Sequence, residues 1–159
     1  MSEEKIKTVD ELKEIVSRLR SEGKSVVLSN GCFDILHVGH IRYLKGAKEE
    51  GDILITALNS DASSAALKGE GRPLMPLSER MEIISSLETV DFVTSFEETD
   101  VVNILLTLKP DVHAKGTDYT IDTVPERETV KEYGGRIAIV GDNKDHSSSD
   151  MNEKINGTD

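Results

Sequence analysis

The sequence predicts an α/β fold: a parallel sheet of five strands covered by helices on both faces. Two observations carry this. Short runs of buried-strand character at residues 25–29, 53–58, 92–95, 112–115 and 136–140 alternate with stretches of helical apolar period. Gly and Pro fall at the junctions between them. Strands separated by helices run parallel, and a parallel sheet buries both its faces. At 159 residues the chain has the size of a single domain. We read 1–24 as an N-terminal helical extension, 25–155 as the core and 156–159 as a tail.

The elements follow in order. Residues 8–22 place Val9, Leu12, Ile15, Val16 and Leu19 on one stripe. Thr8 with Glu11 three residues on is a capping-box pattern, and Gly23 ends the helix. The first strand, SVVLS, runs into a loop at 30–34. A helix from about His37 to Glu50 follows, closed by Gly51. After the second strand, residues 59–75 are rich in Ser, Gly and Lys and read as a loop. Helices are expected at 76–87, 100–108 (stopped by Pro110), 125–133 (stopped by Gly134-Gly135) and 148–155. Parallel sheets bind ligands beyond the carboxyl ends of their strands. That rule singles out 30–40, 115–119 and 141–150.

Composition narrows the partners. A net charge of −11 repels phosphate backbones and anionic membranes, so neither nucleic acid nor a membrane is an expected partner. One cysteine, Cys32, excludes an internal disulfide. The charged N-terminus lacks a signal peptide's apolar run, so a cytoplasmic protein is expected. Small phosphorylated ligands are repelled at long range too. A phosphate site must therefore be built locally from backbone N–H groups and a few Lys, Arg and His.

The segment Asn30-Gly31-Cys32-Phe33-Asp34-Ile35-Leu36-His37-Val38-Gly39-His40 offers one. It lacks the GxGxxG spacing of dinucleotide enzymes. Two histidines at i and i+3 instead share one face at a helix start, where free N–H groups and the helix dipole favour phosphate. Gly31 allows a tight turn and close approach of a phosphate. Gly39 removes a side chain beside the rings. The arrangement suits stabilising charge during phosphoryl transfer. From the residues alone, a partial zinc site or a plain polar helix start remains open.

Gly31-Cys32-Phe33-Asp34 with His37-Val38-Gly39-His40 resembles the signature of the cytidylyltransferase-like nucleotidyltransferases, the HxGH group. The resemblance runs from about Val9 to Ile155. NGCFDILHVGHIRYL, LNSDASSAALKGEGRPLMPLSERMEII, LKPDVHAKGTDY and GGRIAIVG are similar, in order, to the adenylyltransferases that form ADP-heptose. It implies a Rossmann-like, doubly wound five-stranded sheet. It implies AMP transfer from ATP to D-glycero-β-D-manno-heptose 1-phosphate with release of pyrophosphate. Mg²⁺ accompanies the triphosphate, and no tightly bound organic cofactor or protein-held metal is expected. A 159-residue chain would be the transferase standing without the sugar kinase fused to it in many bacteria. A homodimer is common in the group.

The resemblance also assigns residues. His37 and His40 contact the phosphates as catalytic groups, and Lys68 joins them from its Gly-flanked loop. Gly31, Cys32, Phe33 and Gly39 line the nucleotide. Arg80 reaches the nucleotide site, as do Lys115, Gly116 and Asp118 of the KGxDY pattern. Ser147, Ser148 and Ser149 match a Ser/Thr-rich stretch that binds triphosphate. Asp34 and Arg72 are read as substrate-binding. A cytidylyltransferase acting on glycerol 3-phosphate or a similar alcohol phosphate, and a nucleotide-binding module without turnover, are the competing readings. A flavodoxin-like redox or receiver domain would share only the fold class.

Overall fold

The structure, a computed structural model, describes residues 2–142. A 3-10 turn at Ser2–Lys5 leads into α1 (Val9–Ser21). Then come β1 (Val26–Gly31), α2 (Val38–Lys48), β2 (Ile53–Asn59), α3 (Asp61–Lys68) and α4 (Leu77–Ser85). β3 (Phe92–Phe96), α5 (Val102–Leu108), β4 (Val112–Lys115), α6 (Arg127–Glu132) and β5 (Arg136–Ile139) complete it. The helix expected at 148–155 lies outside the described residues.

All four strand pairings are parallel, and the sheet order is β3-β2-β1-β4-β5. Order reverses between β1 and β4. Connections leaving those two strands diverge to opposite faces and open a crevice at their carboxyl ends. Ile6 adds a single parallel bridge to Val93 on the β3 edge.

Alternation along the strands builds two cores. Val26 and Leu28 of β1, with Ile55 and Ala57 of β2, meet α1, α5 and α6 through Leu12, Val16, Ile104, Leu105 and Val130. Val27, Leu54 and Leu58 face the other way, onto Leu44 and Ala47 of α2 and Ile84 of α4. This is the period-two geometry of a strand buried on both sides. α1 starts as expected: Thr8 Oγ1 accepts from the Glu11 N–H at 3.1 Å, and Glu11 Oε1 accepts from the Thr8 N–H at 2.9 Å.

One expectation fails. Residues 59–75 are not all loop, because Asp61–Lys68 forms α3. Ser60 caps it, accepting from the Ser63 N–H at 3.1 Å. Its buried face is Ser63 and Ser64 rather than an apolar stripe. Ser63 Oγ donates to the Glu98 carbonyl at 2.6 Å and accepts from Asn59 Nδ2 at 2.7 Å. A helix docked through hydroxyls leaves no hydrophobic period to read. The first strand also continues through Asn30 and Gly31, two residues past its expected end. Among the described residues no helix is long and apolar enough to cross a membrane.

Leu54 is wholly buried in the α2/α4 core. Leu54→Ala is expected to lower unfolding free energy by about 2–5 kcal/mol in urea titrations. A loss below about 1 kcal/mol would place it outside a close-packed core.

Candidate active site

The crevice at the β1/β4 reversal is a cavity of about 550 Å³. Asn30 to Phe33 at the end of β1 form one wall, with His37, Gly39 and His40 where α2 starts. Lys115, the last residue of β4, and Gly116 to Tyr119 after it form the opposite wall. Leu67 and Lys68 close one side from the end of α3. The back holds Thr99, Asp100, Pro125 and Glu126.

The two histidines cap their own helix. His37 Nδ1 accepts from the Gly39 N–H at 3.1 Å, and His40 Nδ1 accepts from the His37 N–H at 3.2 Å. This is a capping box with imidazoles in place of hydroxyl and carboxylate. It also sets the tautomer: an Nδ1 that accepts carries no proton, so each neutral ring holds its proton on Nε2. The rings stack with centroids 4.0 Å apart. Burial, the neighbouring His37 and the charge of Lys68 hold the His40 pKa down to about 3. At neutral pH His40 is therefore an uncharged N–H donor. A zinc reading finds no support: among the described residues no group of three or more His, Cys, Asp or Glu is placed to hold a metal.

Phe33 adopts φ +51°, a left-handed conformation costly for an aromatic residue. Its ring lies 5.3 Å from that of His40, and its ζ/ε edge would meet a Cβ on Gly31 at 3.1 Å. Gly31 is thus a glycine inside a strand, making room for Phe33, rather than the hinge of a turn. Tyr43 ties the two sides of the crevice. Its hydroxyl donates to the Ala114 carbonyl at 2.7 Å and accepts from the Asn30 N–H at 3.2 Å.

Three assigned residues stand elsewhere. Arg80 does not line the cavity; it is completely buried beneath it. Nη1 donates to the carbonyls of Cys32 and Asn59, both at 2.8 Å. Nε donates to Met75 O at 3.0 Å, and Nη2 to Asp61 at 2.7 Å. The arginine clamps the ends of β1 and β2 to α3 and the loop before α4. Its place one turn into α4, on the same face as Ile84, aims it at the sheet. Asp34 and Arg72 pair with each other at 2.7 Å and do not line the cavity. Asp34 also accepts from the Leu74 and Met75 N–H groups, anchoring that loop to the β1–α2 turn. Burial pushes the Asp34 pKa up, but those N–H groups and Arg72 outweigh it and leave it below the usual carboxylate value.

The remaining assignments converge. Gly31, Cys32, Phe33, His37, Gly39, His40 and Lys68 share the cavity with Lys115, Gly116 and Asp118. Lys115 is nearly buried, its Nζ 4.6 Å above the Tyr119 ring. Burial lowers its pKa, and Glu126 opposes that. Ser147, Ser148 and Ser149 lie outside the described residues. Asn30, Thr99, Tyr119 and Glu126 also line the cavity, without having been singled out. Asn30 belongs to the segment the strand-end rule marks; Glu126 looks like an ordinary helix start and gave no signal.

Residues 28–157 match the cytidylyltransferase-like family model. The chain belongs to the cytidylyltransferase-like family. It is a nucleotidyltransferase. The bifunctional protein HldE of Geobacter sulfurreducens is 46% identical over 151 residues, 95% of this chain and 31% of that protein. HldE of Pseudomonas fluorescens is 42% identical over 154 residues, 97% of this chain and 32% of that one. The chain thus spans about a third of the length of these curated relatives. The crystal structure of the lipopolysaccharide core biosynthesis protein of Thermoplasma volcanium has a TM-score of 0.65 and 31% identity, covering 77% of this chain and all of that one. Pantoate-beta-alanine ligase of Francisella tularensis shares the fold at TM-score 0.65 and 17% identity, over 92% of this chain and 72% of that one.

Arg80→Lys is expected to destabilise the protein by about 2 kcal/mol or more, because an ammonium cannot span the carbonyls the guanidinium forks between. Equal urea midpoints and slopes for both proteins would reject the clamp. A second test concerns His113, wholly buried, whose Nε2 bonds Asn30 Oδ1 at 2.9 Å. Burial and Lys115 hold its pKa to about 3, as in His40. Unfolded histidine titrates near 6.5. Between these values the unfolded chain binds more protons, so stability is highest above pH 6.5 and is lost on acidification. His113→Gln should flatten the decline between pH 7 and 5; an unchanged slope would exclude His113 as a source.

Proposed function

We propose that this chain transfers AMP from ATP to a sugar 1-phosphate, D-glycero-β-D-manno-heptose 1-phosphate, giving ADP-heptose and pyrophosphate. The observation that carries the mechanism is the pair of stacked imidazoles on the cavity wall at the start of α2, whose Nδ1 atoms are bonded to backbone N–H groups so that Nε2 is the donor atom of each ring. In the proposed reaction an acceptor phosphate oxygen attacks the α-phosphorus of ATP. The bond from that phosphorus to the bridging oxygen breaks, and pyrophosphate leaves with its electron pair. His37 and His40 donate to phosphoryl oxygens as charge builds, without exchanging protons with them. Uncharged donors suit this role, since they need no proton held against burial.

Lys68 at the end of α3 and Lys115 at the end of β4 supply positive charge from opposite sides of the cavity. We assign Lys68 to the triphosphate, with Ser147, Ser148 and Ser149 joining by resemblance, and Gly116 and Asp118 to the nucleoside. Mg²⁺ would arrive on the triphosphate, masking charge on the leaving pyrophosphate. It is commonly held by phosphate oxygens, water and one or two carboxylates. Of the carboxylates on the cavity wall Asp142 is already paired with Arg42, so phosphate oxygens and water would hold most of the ion's coordination. The choice of acceptor rests on the extended similarity to ADP-heptose-forming adenylyltransferases. The similarity to the lipopolysaccharide core biosynthesis protein of Thermoplasma volcanium supports it.

Pyrophosphate release should be measured with Mg²⁺ and each of ATP, CTP and GTP, against heptose 1-phosphate and glycerol 3-phosphate. Release with ATP and heptose 1-phosphate is expected; release confined to CTP and glycerol 3-phosphate would discard the substrate and keep the chemistry. His40→Ala should stay folded and lose about 10²–10³ in kcat. Near-normal kcat in that variant would remove the histidine from catalysis.

A further inference from the structure

The back wall of the cavity holds a carboxylate that the reaction above leaves unused. Glu126 stands just before α6, is only 3% exposed and lines the cavity. Its Oε2 accepts from the Val101 N–H at 3.3 Å. Its Oε1 is shielded from solvent and has no hydrogen-bond partner among the described residues. A buried carboxylate oxygen with no donor is costly, and a native structure keeps one where something else supplies the donor.

The neighbours limit what that donor is. A phosphate would be repelled by the carboxylate. Across the cavity, Asn30 commits its Oδ1 to His113, leaving its amide N–H groups as donors. The ring of Tyr119 and the nearly buried Lys115 complete this side. With Lys115 turned toward the carboxylate's own charge, the acceptor oxygen, the amide donor and the aromatic ring together match a polyhydroxylated ring.

We infer that Glu126 is a specificity residue that accepts hydrogen bonds from a vicinal diol, carried by the ribose of the nucleotide or by the sugar of the acceptor. This rests on the nucleotidyltransfer reading above. It deepens that reading by naming the group that separates hydroxylated from deoxygenated substrates. A site built to bind a hydroxyl rejects the analogue lacking it, because the buried acceptor is then left unpaired.

The test compares wild type with Glu126→Gln, whose amide oxygen can keep the Val101 bond. Calorimetry measures binding of ATP, 2′-deoxyATP and 3′-deoxyATP without acceptor; kinetics measures KM for the sugar 1-phosphate and its 2-deoxy counterpart at saturating ATP. If the diol is the ribose, wild type prefers ATP over a deoxy analogue by about tenfold and the variant loses that preference. If it is the acceptor's, the variant raises KM for the hydroxylated sugar about tenfold, leaves ATP affinity unchanged and spares the 2-deoxy sugar. Equal weakening of ATP and its deoxy analogues would mean that Glu126 acts only through Lys115, and would overturn the inference. So would a variant with unaltered discrimination in both arms. Should the variant not fold, wild type alone decides: no preference for any hydroxylated ligand over its deoxy analogue refutes the assignment. ATP binding needs no acceptor, so absence of ADP-heptose formation would sink the proposed reaction without touching the ribose arm, and the acceptor arm would then be read as calorimetric binding of the two sugar 1-phosphates in the presence of ATP.

Discussion

Two imidazoles stacked in contact inside a protein cannot both carry charge. The turn at His37–His40 meets that constraint by giving each Nδ1 to a backbone N–H, and the rest of the site is arranged around it. The same bonds cap α2, fix both tautomers and hold the rings on the cavity wall. The cost of a buried cation is avoided because neither ring needs to become one. Charge enters instead with Lys68 and Lys115, one from each side of the β1/β4 reversal. A strongly acidic chain thereby places two lysines on the wall of one cavity.

Beneath the site lies a polar support invisible from the cavity. Arg80 gathers carbonyls from the ends of β1 and β2, and Asp34 gathers N–H groups from the loop after α3. Each satisfies groups that the ends of secondary structure leave orphaned. Tyr43 does the same between Asn30 and Ala114. Arg80 and Asp34 do not line the cavity, whereas Tyr43 does; all three fix the segments that form its walls.

Much of this could be read in the sequence. The alternation of elements predicted a five-stranded parallel sheet, and the capping box at Thr8 is present. The strand-end rule marked both walls of the crevice. α3 escaped because Ser63 and Ser64 dock it through hydroxyls, leaving no apolar period. Arg80, Asp34 and Arg72 were assigned to ligands because a charged residue in a motif looks the same whether it faces a substrate or a backbone carbonyl. Glu126 was missed because nothing local distinguishes a buried carboxylate from an exposed one at a helix start; the N–H that holds it belongs to Val101, 25 residues away.

The sheet separates two apolar layers that share few side chains. The layer under α2 and α4 carries the histidine turn and the Arg80 clamp, whereas the layer under α1 and α5 stands behind the sheet. A lineage adapting to heat can therefore revise the rear layer while the chemistry is held constant, and divergence among relatives should accumulate there first. The exception is the start of α5, where the Val101 N–H holds Glu126: that point joins the rear layer to the cavity, and drift there reaches the cavity wall.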